Sequence, residues 1–296
     1  RGMPHIPSGK GRYIMSIVTL KNEELTVQIS SLGAEIQSIR DKNGVERLWQ
    51  GDPAIWKGRA PILFPVAGGF KDDGYELDGQ WYGMPKHGFA RKEEWAVESA
   101  GEDEAVFLLT AQKPGFPFRY EFRAVFSLEA NQLEVNYVVK NLDDRTFYFS
   151  VGAHEAYACP GRIEDYYLVF DEKENLDCYP LDGNQIKHET IDMGRDTDTL
   201  ALSYSLLDHD ALVFRNLNST GVALCCRSNE RKVHVEFEGN PTIMFWHHPD
   251  GQYLCIEPWN NSPDFVDAPH DIAKKPNFIC LKPGREANRS HTITIL

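Results

Sequence analysis

From Met15 onward the chain is written in short segments that alternate apolar and polar residues, separated by turn-forming residues. Leu25, Val27 and Ile29 alternate with polar neighbours. Phe122, Ala124, Phe126 and Leu128 oppose Glu121, Arg123 and Ser127, and Leu133, Val135, Tyr137 and Val139 repeat the pattern after a turn at Asn131. A period of two puts every second side chain on one face of a strand, so these segments predict half-buried strands, and the last two pair antiparallel. Thr146–Val151 is almost continuously apolar and aromatic, which predicts a strand buried on both faces. Further strands are expected at 211–214, 222–226, 233–237, 242–246, 253–257 and 291–296.

The turns fit this reading. Asn43-Gly44 and Asp78-Gly79 are hairpin signals. No amphipathic helical window of any length occurs; only Asp52-Pro53-Ala54-Ile55-Trp56 reads as a capped single helical turn. Parallel strands would need crossover helices, so the expectation is all-β: a large antiparallel β-sandwich with only short helical turns. Residues 15–296 are expected to form one domain, since sandwiches often run to about 200–250 residues as one unit and nothing marks a linker. Residues 1–14, without periodicity, are read as a leader or disordered segment. Two long irregular stretches, 171–200 and 260–283, are expected to be binding or lid loops.

Composition narrows the partners. Lys and Arg total 31 against 44 Asp and Glu, a formal charge of −13, which argues against nucleic acid or an anionic membrane as partner. No stretch approaches the roughly 18 consecutive apolar residues of a membrane helix. Six cysteines without a Cys-x-x-Cys pair fit buried free thiols, and a cytoplasmic location is the expectation. Oligomeric state is left open. Aromatic residues at 11% serve either a large core or a sugar-stacking site.

Three ionisable side chains stand where a strand meets a loop. Glu257 closes the apolar run Tyr253-Leu-Cys-Ile-Glu and is followed at once by Pro258, which cannot donate to a central ladder; Glu257 is therefore expected at a strand end or bulge beside Trp259. His154 follows the expected strand at Thr146–Val151, and His87 lies in Pro85-Lys86-His87-Gly88. Singly, each has an ordinary structural use as an ion-paired carboxylate, a hydrogen-bonded histidine or a loop histidine. Together they offer either an acid and a base across a small polar substrate or a metal site of two histidines and a carboxylate. The adjacent pair His247-His248 weighs against metal, because neighbours on a strand face opposite ways. No G-x-S-x-G elbow or phosphate-binding glycine loop is present.

Lys86-His87-Gly88-Phe89-Ala90-Arg91, Ser150-Val151-Gly152-Ala153-His154 and Cys255-Ile256-Glu257-Pro258-Trp259, in this order, resemble the aldose 1-epimerase (galactose mutarotase) family, closest to its lactose-operon-associated branch. The resemblance runs from Ser16 to about Leu296 and implies the same β-sandwich with a sugar in an open cleft. It implies mutarotation of a free aldohexose without cofactor or metal. Glu257 would be the base at the anomeric hydroxyl, His154 the acid at the ring oxygen, and His87 a second histidine near that oxygen. Asp210 and Arg59 would bind substrate, Arg59 on a loose match, and Trp259 would stand at the cleft as wall or core. Glu155 departs from the proline expected after the acid histidine. A hexose-6-phosphate 1-epimerase, using Arg59, Lys86 and Arg91 around the phosphate, and a non-catalytic sugar-binding or sensor protein are the alternatives.

Overall fold

A computed structural model describes residues 15–208, 210–229, 231–276 and 278–296; the segment read as a leader lies outside them. Nine strands form one antiparallel sheet in the spatial order 197–201, 166–174, 221–226, 232–236, 286–295, 132–141, 120–129, 104–109 and 96–100. A four-stranded sheet, in the order Glu155–Ala158, Tyr253–Trp259, Thr242–Trp246 and Leu212–Arg215, packs against it. The expected β-sandwich is the observed fold.

The period-two segments behave as their sequence dictates. Tyr120–Glu129 pairs with Gln132–Asn141 in register from Tyr120 opposite Asn141 to Glu129 opposite Gln132, and its side chains are alternately buried and half-buried. The buried set meets the small sheet in the core, where Phe245 lies 6.2 Å from Phe170 across the two sheets. Burial of such rings is the main source of stability here, at about 25 cal/mol per Å² of apolar surface.

Asp52–Trp56 is the expected single turn, closed by Trp56 N–H on the Asp52 carbonyl and capped by the Asp52 side chain at Ala54. Two other expectations are corrected. Of Thr146–Val151, only Phe147–Phe149 is strand, and Tyr148 is half-buried, because its partner is the short segment Ile279–Leu281 at the sheet margin. Neither long stretch is structureless: 171–200 holds the two-residue ladders of 177–178 with 191–192 and 181–182 with 185–186, and 260–283 holds the 3-10 turn Ile272–Lys274 and the short strand Ile279–Leu281.

The small sheet positions the site. Leu254 and Ile256 point into the main core, while Cys255, Glu257 and Trp259, on the alternate face, point away from it. Every residue of this strand is buried all the same, because loops cover its outer face.

Candidate functional site

Glu257 is not at a strand end. Its strand runs on through Trp259, with Met244 opposite Glu257, Ile243 opposite Pro258 and Thr242 opposite Trp259. Pro258 is tolerated because its carbonyl, and hence its nitrogen, faces the neighbouring edge, where the carbonyl accepts from Ala153 and regular pairing begins only at Glu155. That gap in the ladder is where His154 leaves the backbone. Its Nε2 lies 3.4 Å from Glu257 Oε1.

The third group arrives on a turn. Gly88 N–H donates to the Pro85 carbonyl, and His87 takes the third turn position with φ 66°, a conformation normally left to glycine or asparagine. Gly68 holds it there: the His87 N–H donates to the Gly68 carbonyl at 2.7 Å, and the Gly68 N–H donates to His87 Nδ1 at 3.1 Å. A neutral His87 therefore carries its proton on Nε2. Gly88 is required, since a Cβ there would stand 2.2 Å from the Phe64 carbonyl oxygen at a positive φ.

His87, His154 and Glu257 line one small, open pocket with Asp210 and Trp259. The rings of His87 and His154 stand edge to face, 5.8 Å apart. A larger hollow of about 870 Å³, lined in part by Glu24, Asp41, Lys42 and Arg47, gathers ion pairs such as Arg47–Asp41 but no histidine. The chemistry lies in the smaller one.

Burial sets the protonation of the trio. His154 falls to about 3, through burial and the charges of Arg91 and Lys86, against its own backbone. His87 is held well below the ordinary histidine value by burial, then by His154, Lys86 and Arg91. Glu257 is driven well above the usual carboxylate range by burial and by the charge of Glu155, with Lys86 and the Trp259 N–H opposing. Burial thus favours the pair with the proton on Glu257 and an uncharged His154.

Trp259 is a buried wall and offers no open stacking face. Its Nε1 donates to the Ala153 carbonyl, it stands edge-on to His87, and its ring is covered by Gly152, where a Cβ would lie 2.6 Å from Cδ1. Asp210 is exposed at the pocket rim with φ 144°, its Oδ1 accepting from the Ala211 N–H. Arg59 is not among the lining groups, because its guanidinium donates to the Gln37 carbonyl at 2.6 Å and to Gln50 at 3.2 Å. Arg91 also lies outside the lining, with a guanidinium nitrogen on the Lys86 carbonyl. Lys86 does line the pocket, as do Asn184, Met244 and Trp246, which the sequence reading left out of its substrate-binding set.

Donor atoms of His154, Cys255 and Glu257 fall within 4.8 Å of one another, a set that could in principle hold a metal ion. Its chemistry is unfavourable for that. Burial pushes the Cys255 thiol well up, with Glu257 adding to the effect, so a metal would have to displace protons from both groups. Glu155, next to His154, points the other way into the core and forms a buried pair with His291 of the large sheet at 2.9 Å.

Comparison with known proteins follows the same lines. The sequence profile described as aldose 1-epimerase matches residues 16–294. LacX of Lactococcus lactis subsp. lactis is 32% identical, over 94% of this chain and 99% of its own length. The structure of a galactose mutarotase related enzyme from Lactobacillus acidophilus superposes with a TM-score of 0.89 at 33% identity, covering 95% of this chain and 97% of that one. A galactose mutarotase-like protein from Lactobacillus casei ATCC 334 gives 0.89 at 25% identity, over 95% and 100%. A galactose 1-epimerase from Lactobacillus acidophilus NCFM, at 14% identity and a TM-score of 0.73, over 98% and 97%, shares the fold.

Proposed function

The chain belongs to the aldose 1-epimerase family, and on that premise we propose that it interconverts the α and β anomers of a free aldohexose through the open-chain aldehyde. The observation that carries this reading is the 3.4 Å approach of His154 Nε2 to Glu257 Oε1 inside a pocket that His87 also lines.

Ring opening takes a proton from the anomeric oxygen O1 and delivers one to the ring oxygen O5, both bonded to C1. An acid and a base a few ångströms apart are sufficient, and no nucleophile is needed. Glu257 as carboxylate accepts the O1 proton, while His154 as imidazolium donates to O5. The C1–O5 bond breaks and the electron pair left on O1 forms the aldehyde. Rotation about C1–C2 and closure in the reverse sense, with Glu257 returning its proton to O1 and His154 taking the O5 proton, gives the other anomer.

The reactive form differs from the resting pair only in the position of one proton. Ring opening leaves Glu257 protonated and His154 neutral, which is the form that burial favours. The pocket thus stabilises the pair in the state reached after opening. His87, neutral with its proton on Nε2, is suited to donate a hydrogen bond near O5.

A hexose 6-phosphate fits this pocket less well. Phosphate recognition favours paired cations, with arginine best, and Lys86 is the single cationic side chain among the described lining residues. A binding protein without turnover would have no use for an acid and a base in contact. Polarimetry of freshly dissolved α-D-galactose and α-D-glucose tests the proposal, which expects accelerated approach to the equilibrium rotation. A rate equal to buffer on every hexose tried would refute it.

A further inference from the structure

The wall beside His154 is aromatic and uncharged. Trp56 lies over the His154 ring at 5.2 Å and 31°, Trp246 stands edge-on to it at 5.8 Å and 75°, and the two indoles meet at 5.4 Å. Both are half-buried, so each keeps surface free. Their positions are fixed from behind: Trp49 Nε1 donates to the Trp56 carbonyl at 2.7 Å, and Tyr253 packs against Trp49, Trp56 and Trp246.

Strand register places this wall relative to Glu257. Met244 is opposite Glu257 and Trp246 is opposite Cys255, so Trp246 stands two residues, about 7 Å, along its strand from the carboxylate, on the same face. Met244 and Trp246 both line the pocket.

A pyranose in this site has its orientation limited by the chemistry. O5 is bonded to two carbons, C1 and C5. If C1 and its hydroxyl face Glu257 and O5 faces His154, then C5, with C6 attached, extends from His154 away from the carboxylate. The group it meets is the Trp246–Trp56 wall. Resting on the orientation proposed above, we infer that Trp246, backed by Trp56, is the residue that recognises the C6 side of the sugar, and that the substrate class is pyranoses whose C6 is uncharged, 6-deoxy sugars included.

A C–H face against an indole is favourable, and a phosphate there would lose its hydration with no cation to replace it. The bulk of the indole also matters because a pocket contact with one carbon is worth about 10-fold or more in kcat/KM.

The test compares matched sugars that differ only at C6: D-glucose with D-xylose, which lacks C6, and D-galactose with its 6-deoxy form, D-fucose. Anomer exchange is followed by NMR for wild type and Trp246→Ala. Wild type is expected to accept D-fucose about as well as D-galactose and to turn over D-galactose 6-phosphate at least about 100-fold less efficiently. Trp246→Ala is expected to lose about 10-fold or more in kcat/KM on D-glucose relative to its loss on D-xylose, and Trp246→Phe to restore much of that difference. Equal losses on D-glucose and D-xylose would overturn the inference and leave the anomerase reading standing. So would efficient turnover of the 6-phosphate by wild type, a result independent of whether the alanine variant folds. Wild type inert toward all four sugars would overturn both readings.

Discussion

His154 and Glu257 face each other at 3.4 Å across the gap where one strand of the small sheet has not yet begun and its neighbour carries a proline. The backbone irregularity and the chemistry share one place. A regular ladder on both sides of Glu257 would close off the position from which the imidazole approaches.

The pair predicts an unusual pH profile. An ordinary histidine changes charge between about pH 5 and 8, but burial holds His154 near 3 and His87 well below 6.5. Both stay neutral through the usual range, so kcat/KM measured from about pH 5 to about 8 should show no inflection near the free-histidine value. The alkaline limb belongs to loss of the Glu257 proton, whose affinity is raised. An acid limb centred near 6.5 would contradict this assignment.

Glu257→Gln separates activity from stability. The raised affinity of Glu257 for its proton means that the folded protein keeps it after the unfolded chain, near 4.5, has lost it. Stability is thus full below the unfolded value and declines as pH rises toward the folded one. Glutamine removes that penalty, so the variant should melt higher than wild type near pH 7, with the difference shrinking below 4.5. Activity should fall by about 10²–10⁴-fold. Thermal unfolding at two pH values checks the sign.

Lys275 and Asp264 form a buried pair at 2.5 Å, and the same carboxylate accepts from the Lys71 N–H. This pair pins the 260–283 stretch over the pocket wall, beside Pro263, which lines the pocket. Lys275→Met leaves the carboxylate buried without its cation and should cost about 3–5 kcal/mol. Urea denaturation measures the loss, and a change below about 1 kcal/mol would show that the pair does little.

Arg59 gives a negative prediction. With its guanidinium on Gln37 and Gln50, Arg59→Gln should leave KM for a hexose within about twofold of wild type, since no uniform binding is removed. A large rise in KM would mean that the side chain swings to the sugar.

What the sequence disclosed follows from how local each signal is. Tyr120–Glu129 was legible because apolar residues recur at every second position over ten residues, with Val125 the one apolar residue on the opposite face. Ala96–Ala100 was not, since it is an exposed edge strand without an apolar face, and the two-residue ladders within 171–200 are too short to leave a period. Glu257 was found as a site residue but misplaced along its strand, because a proline usually ends a central ladder and here faces a gap. His87 and His154 were marked by their motifs. Trp246 carried no such mark: it ends an apolar run like any core strand, and only the crossing of strands brings it to His154. Lys86 joins the pocket through a turn that depends on the left-handed His87 beside it.

Whether His154 and Glu257 interconvert anomers is read from the anomer exchange rate of D-galactose, by saturation transfer between the α and β anomeric protons, with wild type, His154→Ala and Glu257→Ala at equal concentration. Exchange well above buffer is expected for wild type and at least about 100-fold less for either variant, with both variants folded by circular dichroism. Wild type indistinguishable from buffer, or variants as fast as wild type, would contradict that role of the pair.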